Sequence, residues 1–228
     1  MGYVFHFEVP MRQLPVFLLA ALQTLRISGL GILIGLAISI FGALGRMSKN
    51  KVIYVISTAY VEFIRNTPFL VQLFIIYFGL PSIGLQFTAN TAALIALSIN
   101  CGAYCTEVVR AGIESIRKGQ IDAGLSLGMS YMQVFRHVIL FPALKAVFPP
   151  LGNVFIITML GSSAVAIISA QELTYAGSML ESRTFRSFEI FTVITVIYFI
   201  LAQILAGIFK VIELKVFKRT ERRIIAQI

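Results

Sequence analysis

The chain has 228 residues, of which 58% are hydrophobic and 13% are charged, and its mean hydropathy is +0.89. These values exclude an ordinary soluble domain, in which about a quarter of the residues are charged. The formal net charge of +9 would favour a nucleic-acid partner in a soluble protein, but in a membrane protein basic residues first mark topology.

Four stretches without acidic or basic residues are long enough to cross a membrane. They cover residues 27–45, 66–106, 146–171 and 190–209. A helix rises about 1.5 Å per residue, so roughly 20 residues span the ~30 Å of hydrocarbon. The stretch 66–106 is long enough for parts of two spans, joined by a turn at Gly79, Pro81 and Gly84. Five transmembrane helices are therefore predicted, at about residues 16–45, 52–79, 88–114, 145–168 and 189–213.

The first span is rich in small residues that allow close helix packing. Gly31 and Gly35 form a G-x-x-x-G pair, and Ser39 follows four residues later. Such pairs let two helix backbones approach in a membrane, and we expect the contact to lie within the molecule. The residues before this span have a weak basic region and lead into an apolar run too long for a signal-peptide core, so we expect no cleaved signal.

The second span contains a proline and two charges. Pro68 lacks an amide donor and restricts Thr67, so the helix is predicted to kink or break there. Glu62 and Arg65 are three residues apart and can pair on one helical face. Charged side chains at membrane depth face protein, a partner charge or a water-filled cavity. The two charges therefore form either a structural ion pair or part of a substrate path, for which Gln72 is a further candidate.

The third span has one polar face. Asn100, Tyr104 and Glu107 follow helical spacing, and their face points either at substrate or at a neighbouring helix. Cys101 and Cys105 lie four residues apart in the same span. We interpret them as small packing residues, because a metal site would need further ligands.

The fourth span is interrupted by residues that weaken a helix. Asn153 follows Pro149, Pro150 and Gly152, and the GSS sequence that contains Ser162 breaks an apolar run. Such interruptions tend to line cavities, because freed backbone groups need partners that lipid does not supply. The predicted substrate path consists of Glu62, Arg65, Gln72, Asn100, Tyr104, Glu107, Asn153 and Ser162.

Residues 107–147 mix charged and apolar residues between the third and fourth spans. Gly119 and Gly128 bracket one short helical segment, and Ser130 with Gln133 forms a capping-box pattern for a second. Two short helices turned at Gly128 could insert apolar side chains into a groove on another protein; the alternative is an amphipathic element that lies on lipid. The apolar side chains expected to point outwards are Ile121, Leu125, Leu127, Met129 and Phe135.

The basic residues are distributed unevenly between the two sides of the predicted membrane. One side receives residues 46–51, residues 110–145 and the tail from Lys210, with 14 of the 19 Lys and Arg, whereas the other side receives three. Cytoplasmic loops of membrane proteins carry the excess of basic residues. The insert and the C-terminus are therefore predicted to be cytoplasmic, and the N-terminus is predicted to lie outside.

Three motifs, in this order, resemble those of the permease subunits of ATP-binding-cassette importers, in their polar amino acid branch. The first, VEFIRNTPFLVQLFIIYFGLP, resembles the second-helix motif of the branch. The family's cytoplasmic loop reads E-A-A, three residues, Gly, nine residues, I-x-L-P; here Asp122, Ala123 and Gly124 are followed by Gly128 and by VIL at 138–140. The third, FPPLGNVFI, resembles the start of the fourth span.

The resemblance implies a fold that agrees with the hydropathy. We expect a single-domain all-α membrane protein of five transmembrane helices, with a cytoplasmic coupling-helix loop between the third and the fourth at about residues 117–138. The residues expected to couple to the ATPases are Gln120, Asp122, Ala123, Gly128, Ser130 and Arg136.

The chain departs from the family pattern in the loop and in the fourth span. Phe141 stands where the family has proline, and Pro142 follows one place later, which predicts a shifted exit from the loop. Val154 and Gly161 stand where the branch commonly has Glu and Lys. The loss of two charged groups near the substrate would leave recognition to a second, nonidentical permease.

The resemblance also implies a role in a bacterial inner membrane. The branch carries arginine, histidine, glutamine, glutamate, aspartate and some opines. The implied partners are a second permease, with a heterodimer favoured over a homodimer, an extracytoplasmic binding protein and two cytoplasmic ATPases, which hold ATP and Mg²⁺. The sequence has no Gly-Lys dipeptide and so no phosphate loop, and the chain is predicted to be neither an enzyme nor a cofactor-binding subunit.

Two other functions fit parts of the sequence. An intramembrane hydrolase could use Ser162 or Ser163, but His6 and His137 are predicted to lie on opposite sides of the membrane and away from the serines, so the general base is missing. A channel-like or structural membrane subunit without ATP coupling would also have polar helix faces. It would not need a loop that docks an ATPase, and this favours the importer subunit.

Overall fold

The computed structural model describes residues 4–218. The basic residues of the tail beyond 218, which contribute to the predicted topology, lie outside this range. Helices and short connections make up the described part of the chain, which contains no strand. In chain order we number them α1 (Glu8–Arg12), α2 (Leu14–Arg46), α3 (Lys51–Arg65), α4 (Phe69–Ile83), α5 (Ala89–Glu114), α6 (Lys118–Ser126), α7 (Tyr131–Ile168), α8 (Leu173–Thr184) and α9 (Ser187–Phe217).

Four of these helices are long and apolar enough to cross a membrane. They are α2, α5, α7 and α9, and the bent pair of α3 and α4 makes a fifth if the two arms form one broken span. The predicted fold class, an all-α membrane protein, is confirmed.

The second predicted span is not one straight helix. The axes of α3 and α4 differ by 108°, and the break lies at Pro68, whose backbone is extended, as its sequence position predicts. The Gln72 side chain bridges the break, because its Nε2 donates to the carbonyl oxygens of Ile64 (2.7 Å) and Thr67 (3.1 Å). These two hydrogen bonds hold the two arms at a fixed angle.

The small residues of the first span pack against the third. A Cβ added to Gly35 would lie 3.0 Å from the Cβ of Cys101, and one added to Gly31 would lie 3.1 Å from the Cβ of Leu97. The expected close contact is therefore within the molecule, between α2 and α5. Because residue numbers rise together along this contact, α2 and α5 run in the same direction.

The fourth span runs in the opposite direction to α5. A Cβ on Gly112 would meet the Val147 side chain, whereas Cys105 and Cys101 pack against Phe155 further along α7. The two buried cysteines serve as packing residues here, with their sulfur atoms 3.7 Å apart. These directions give the bundle two ends. We call them the Glu107 end, where α2 and α5 finish, and the Glu172 end, where α7 finishes.

The insert between the third and fourth spans contains one separate helix and not two. Gly128 has a φ of +80°, so the chain turns there after α6, and Ser130 forms the expected capping box with Gln133. The segment that follows does not end as a short helix. It passes through a π-helical turn, Phe135–Ile139, and continues without a break into the fourth span as α7. Pro142 therefore lies inside a helix and not at the exit from a loop.

The helix α8 was not predicted from the sequence. It spans twelve residues between the fourth and fifth spans, and Gly177 allows it to pack closely on Ile194 of α9. The Glu172 side chain caps its first turn by accepting the Tyr175 N–H. This helix covers the Glu172 end of the bundle.

Candidate solute path

A central cavity of about 340 Å³ lies between α4, α5 and α7. Its wall includes two residues of the predicted substrate path, Asn100 and Tyr104, and both positions that depart from the family pattern, Val154 and Gly161. Within residues 4–218, none of the residues that line it is acidic or basic. The full lining is Thr67, Phe69, Leu97, Asn100, Tyr104, Val154, Ile157, Thr158 and Gly161.

Gln72 lies outside the lining of this cavity but positions one of the lining residues, Asn100. The Gln72 side chain is buried, and its Oε1 accepts a hydrogen bond of 3.0 Å from the Nδ2 of Asn100. The same amide also bonds the backbone at the α3–α4 break. Buried polar groups that are fully bonded hold a structure rigid, so Gln72 fixes the position of Asn100 on the cavity wall.

A cluster of ion pairs lies at the Glu107 end. Glu107 is at its centre: its carboxylate oxygens lie 3.4 Å from the Nε of Arg46, 3.6 Å from the Nη1 of Arg65 and 2.9 Å from the Nη2 of Arg110. Glu62 pairs with Arg46, at 3.4 Å. Thus Glu62 and Arg65 lie on one helix but pair with charges on other helices.

The ion-pair cluster connects to the central cavity through Tyr104. The guanidinium carbon of Arg65 lies 5.5 Å from the centre of the Tyr104 ring, within the range of a cation–π interaction. A second cavity, of about 390 Å³, opens beside the cluster, and Arg65, Glu107, Arg110 and Pro150 contribute to its wall. The two cavities therefore follow each other along one face of α5.

Two candidates for the substrate path lie elsewhere. Asn153 is exposed on α7 and lines neither of these cavities. Ser162 is fully buried, and its hydroxyl donates to the carbonyl oxygen of Met159 at 2.7 Å. The geometry gives Ser162 a role in ending the α-helical part of α7, which continues as a 3₁₀ turn.

The residues expected to couple to an ATPase lie together at the exposed tip of the insert. Gln120, Asp122 and Ala123 are exposed on α6, and Arg136 is exposed on α7. Two of the apolar side chains expected to point outwards, Ile121 and Met129, instead pack inwards. The other three, Leu125, Leu127 and Phe135, are exposed. We define the docking surface as the exposed apolar residues Leu125, Leu127, Tyr131 and Met132, with exposed fractions of 43%, 84%, 69% and 70%.

Two buried acids at the Glu172 end were missed from the sequence. Glu172 is 1% exposed; its Oε1 accepts the Tyr175 N–H at 2.7 Å, and its Oε2 accepts the Tyr198 hydroxyl at 2.5 Å. Burial raises the pKa of the Glu172 carboxyl above its ordinary value, and these hydrogen bonds only partly oppose the shift. Glu189 is fully buried and accepts the backbone N–H of His6 at 3.0 Å.

A sequence signal for both acids exists. Glu172 directly follows the charge-free stretch 146–171, and Glu189 directly precedes the stretch 190–209. An acid at the edge of an apolar run is ambiguous, however, because most such residues lie in water. Their burial depends on segments that are distant in the sequence, because Glu172 contacts Tyr198 of α9 and Glu189 contacts His6.

Comparison with known proteins gives a consistent result. A family model described as "Binding-protein-dependent transport system inner membrane component" matches residues 31–218. A probable amino-acid ABC transporter permease protein of Bacillus subtilis, YckA, is 36% identical over 213 residues, which cover 93% of this chain and 94% of the relative. The glutamine transport system permease protein GlnP of Escherichia coli K12 is 37% identical over 202 residues, covering 88% and 92%.

A solved structure has the same fold. It is described as the crystal structure of an amino acid ABC transporter with histidines, and its matching chain is 36% identical to this one. The match has a TM-score of 0.89 and covers 94% of this chain and 100% of the other. The arrangement of helices around the central cavity is therefore shared with a transporter.

Proposed function

Since the chain belongs to the family of inner membrane components of binding-protein-dependent transport systems, we propose that it forms half of the path by which a polar amino acid enters a bacterial cell. It is a permease subunit, and ATP hydrolysis is the task of separate ATPase subunits, which hold ATP and Mg²⁺. The observation that carries the proposal is the central cavity, lined by Asn100 and Tyr104 and open between three helices.

The charge-free wall of this cavity supports pairing with a second, different permease. Amino acids are zwitterions, and burying an unpaired charge is costly. The wall offers hydroxyl and amide groups from Thr67, Asn100, Tyr104 and Thr158 but no charge. We therefore propose that the partner permease supplies the charged groups and that the assembly is a heterodimer, with this chain contacting the uncharged part of the solute.

The proposed orientation places the Glu107 end in the cytoplasm. The end of α2 and the insert lie at this end, and residues 46–51 and 110–145 carry eight of the 19 Lys and Arg, whereas the opposite end has three, Arg12, Arg183 and Arg186. Such an excess of basic residues favours the cytoplasmic side. The helices α2 and α5 run towards it and α7 runs away from it. The N-terminus is then outside, and the C-terminus is cytoplasmic.

The docking surface supports coupling to an ATPase. Its exposed leucines, tyrosine and methionine suit an apolar cleft, and Arg136 and Asp122 provide charges beside them. The helix α7 runs unbroken from this surface to the cavity, so Met132 and Val154 are joined by roughly 33 Å of helix. A shift of the docked tip therefore moves the cavity wall without needing a separate linkage.

Reconstitution tests the proposed function. The chain would be assembled in liposomes with an ATPase, a second permease and a binding protein, and uptake of labelled glutamine, glutamate, arginine and histidine would be measured. We expect saturable uptake of at least one of them that requires both ATP and the binding protein. An assembled complex with an active ATPase and no amino acid uptake would refute the proposal, and ATP-independent flux would favour the channel-like alternative.

A further inference from the structure

A third cavity lies at the Glu172 end, separate from the two described above. It has a volume of about 240 Å³ and lies between α2, α5 and the connection after α7. It follows the central cavity along α5, because its lining residue Leu94 is one turn from Leu97 of the central cavity. The full lining is Gln23, Arg26, Ile27, Leu30, Asn90, Thr91, Leu94 and Gln171.

Arg26 is the only charged residue in this wall among the residues that the structure describes. Its side chain is exposed and makes no hydrogen bond or ion pair with any residue in the range 4–218. A basic residue within a membrane-spanning helix normally has a partner charge or faces a water-filled pathway. The wall adds the side-chain amides of Gln23 and Gln171 but no carboxylate, so the cavity favours an anion.

The wall is held in place by the buried Glu172. The Oδ1 of Asn90 accepts the backbone N–H of Gln171 at 2.8 Å, which joins α5 to the connection after α7. The next residue, Glu172, accepts the hydroxyl of Tyr198, while the N–H of Leu173 donates to the hydroxyl of Thr24 at 3.0 Å. Three helices are thus tied together at this wall, and its polar groups are positioned before any ligand arrives.

We propose that this cavity is an entry site that binds the α-carboxylate of an amino acid before it reaches the central cavity. The inference rests on the proposed function and deepens it. A guanidinium binds a carboxylate through two parallel hydrogen bonds, which makes Arg26 suited to this group. The volume of this cavity is below the roughly 300–1,000 Å³ of sites for drug-sized ligands, which suits a ligand as small as an amino acid. Arg26 would bind the carboxylate before the solute reaches the central cavity, where the partner permease is proposed to supply the charged groups.

Cysteine protection measures occupancy directly. Thr91 lines the cavity and is exposed, whereas Cys101 and Cys105 are fully buried, so a Thr91→Cys variant provides one accessible thiol for an impermeant reagent. In the assembled complex without binding protein, we expect glutamine to slow modification of this thiol and glutaminamide, which lacks the α-carboxylate, to have no such effect. Equal effects of the two compounds, or no protection, would overturn the entry site.

Transport assays test whether the solute passes through this entry site. We expect Arg26→Gln to lower amino acid uptake per ATP hydrolysed about tenfold, since a hydrogen bond to a charged group is lost, and Arg26→Lys to retain part of it. Arg12→Gln removes a cation from α1, outside the cavity, and should leave the ratio unchanged. An unchanged ratio in Arg26→Gln would overturn the proposal.

Two other outcomes are distinguishable. If Arg26→Gln instead reduces recovery of the second permease at equal membrane levels, Arg26 is a contact between subunits and the entry site is overturned. If the wild-type complex takes up no amino acid at all, the proposed function itself fails, whatever the variants do.

Discussion

Gly124 of α6 lies directly against Val134 in the first turn of α7. A Cβ added to Gly124 would lie 3.0 Å from the Cγ2 of Val134, closer than ordinary van der Waals contact. The family signature has alanine at this position, so this chain allows α6 to approach α7 more closely than the signature does. Through this contact, the docking surface and the wall of the central cavity belong to one packed unit.

Replacing Gly124 by leucine tests that contact. The larger side chain cannot fit beside Val134, and overpacking of this kind costs about 1–3 kcal/mol. We expect Gly124→Leu to displace α6 and to lower ATP-driven uptake strongly at normal membrane levels. Gly119→Leu is the matched control, because a Cβ at Gly119 meets nothing within 4 Å. Equal uptake by the two variants would show that the packing of α6 on α7 does not transmit motion.

Introducing an acid at Val154 should change the solute preference. In the charge-free central cavity, a carboxylate would attract a cationic solute and repel an anionic one. We expect Val154→Glu to shift the ratio of arginine to glutamine uptake towards arginine by about tenfold, the size of one charge-assisted hydrogen bond. Asn153→Glu places the same charge on the adjacent, exposed position outside the cavity. A similar shift in this control would mean that the effect does not come from the cavity.

Neutralising Glu107 should destabilise the Glu107 end. Glu107→Gln leaves Arg46, Arg65 and Arg110 without their shared carboxylate, in a region where the Glu107 side chain is only 16% exposed. We expect a loss of about 1–3 kcal/mol, seen as a lower melting temperature of the purified complex. Glu62→Gln should cost less, because the Glu62 side chain is 54% exposed and exposed pairs contribute about 0–1 kcal/mol. The reverse order would contradict the central role of Glu107.

The buried Glu172 predicts a specific pH dependence. Because its folded-state pKa is raised, the folded protein binds a proton more tightly than the unfolded chain does. Its contribution to stability is therefore fully present below the ordinary glutamate pKa, about 4.3, and is lost as the pH rises from there through the higher folded value. We expect Glu172→Gln to remove this decline from the melting temperature of the complex measured against pH.

The matched variant for this measurement is Glu181→Gln, which removes a carboxylate from the same helix, α8. It should keep the wild-type decline. If Glu172→Gln also keeps it, the proton is bound elsewhere.

The helices that cross the membrane could be predicted because they depend on local properties. The lengths of the charge-free stretches predict α2, α5 and α9, and Pro68 predicts the break between α3 and α4. The twelve residues of α8 include both polar and apolar side chains. Without a long apolar run, the sequence does not distinguish this helix from a loop. Ser130 predicts where a helix begins, but nothing local indicates that it continues past Pro142 into the fourth span.

The candidate site could be predicted only in part. Helical spacing places Asn100 and Tyr104 on one face of α5, and both line the central cavity. The same kind of spacing suggests that Glu62 pairs with Arg65, yet each pairs with another helix. Spacing along one helix determines which side chains can meet, but it contains no information about nearer partners on neighbouring helices.

By itself the sequence determined that this is an all-α membrane protein, because hydropathy and helix length are properties of the chain alone. It also determined the family resemblance and the absence of a phosphate loop. Only the tertiary structure decided that Val154 and Gly161 face a cavity, that Glu172 is buried and that Arg26 lines a third cavity without a partner among residues 4–218. The physical reason is that burial and pairing are set by which helices pack together, and these helices are far apart in the sequence.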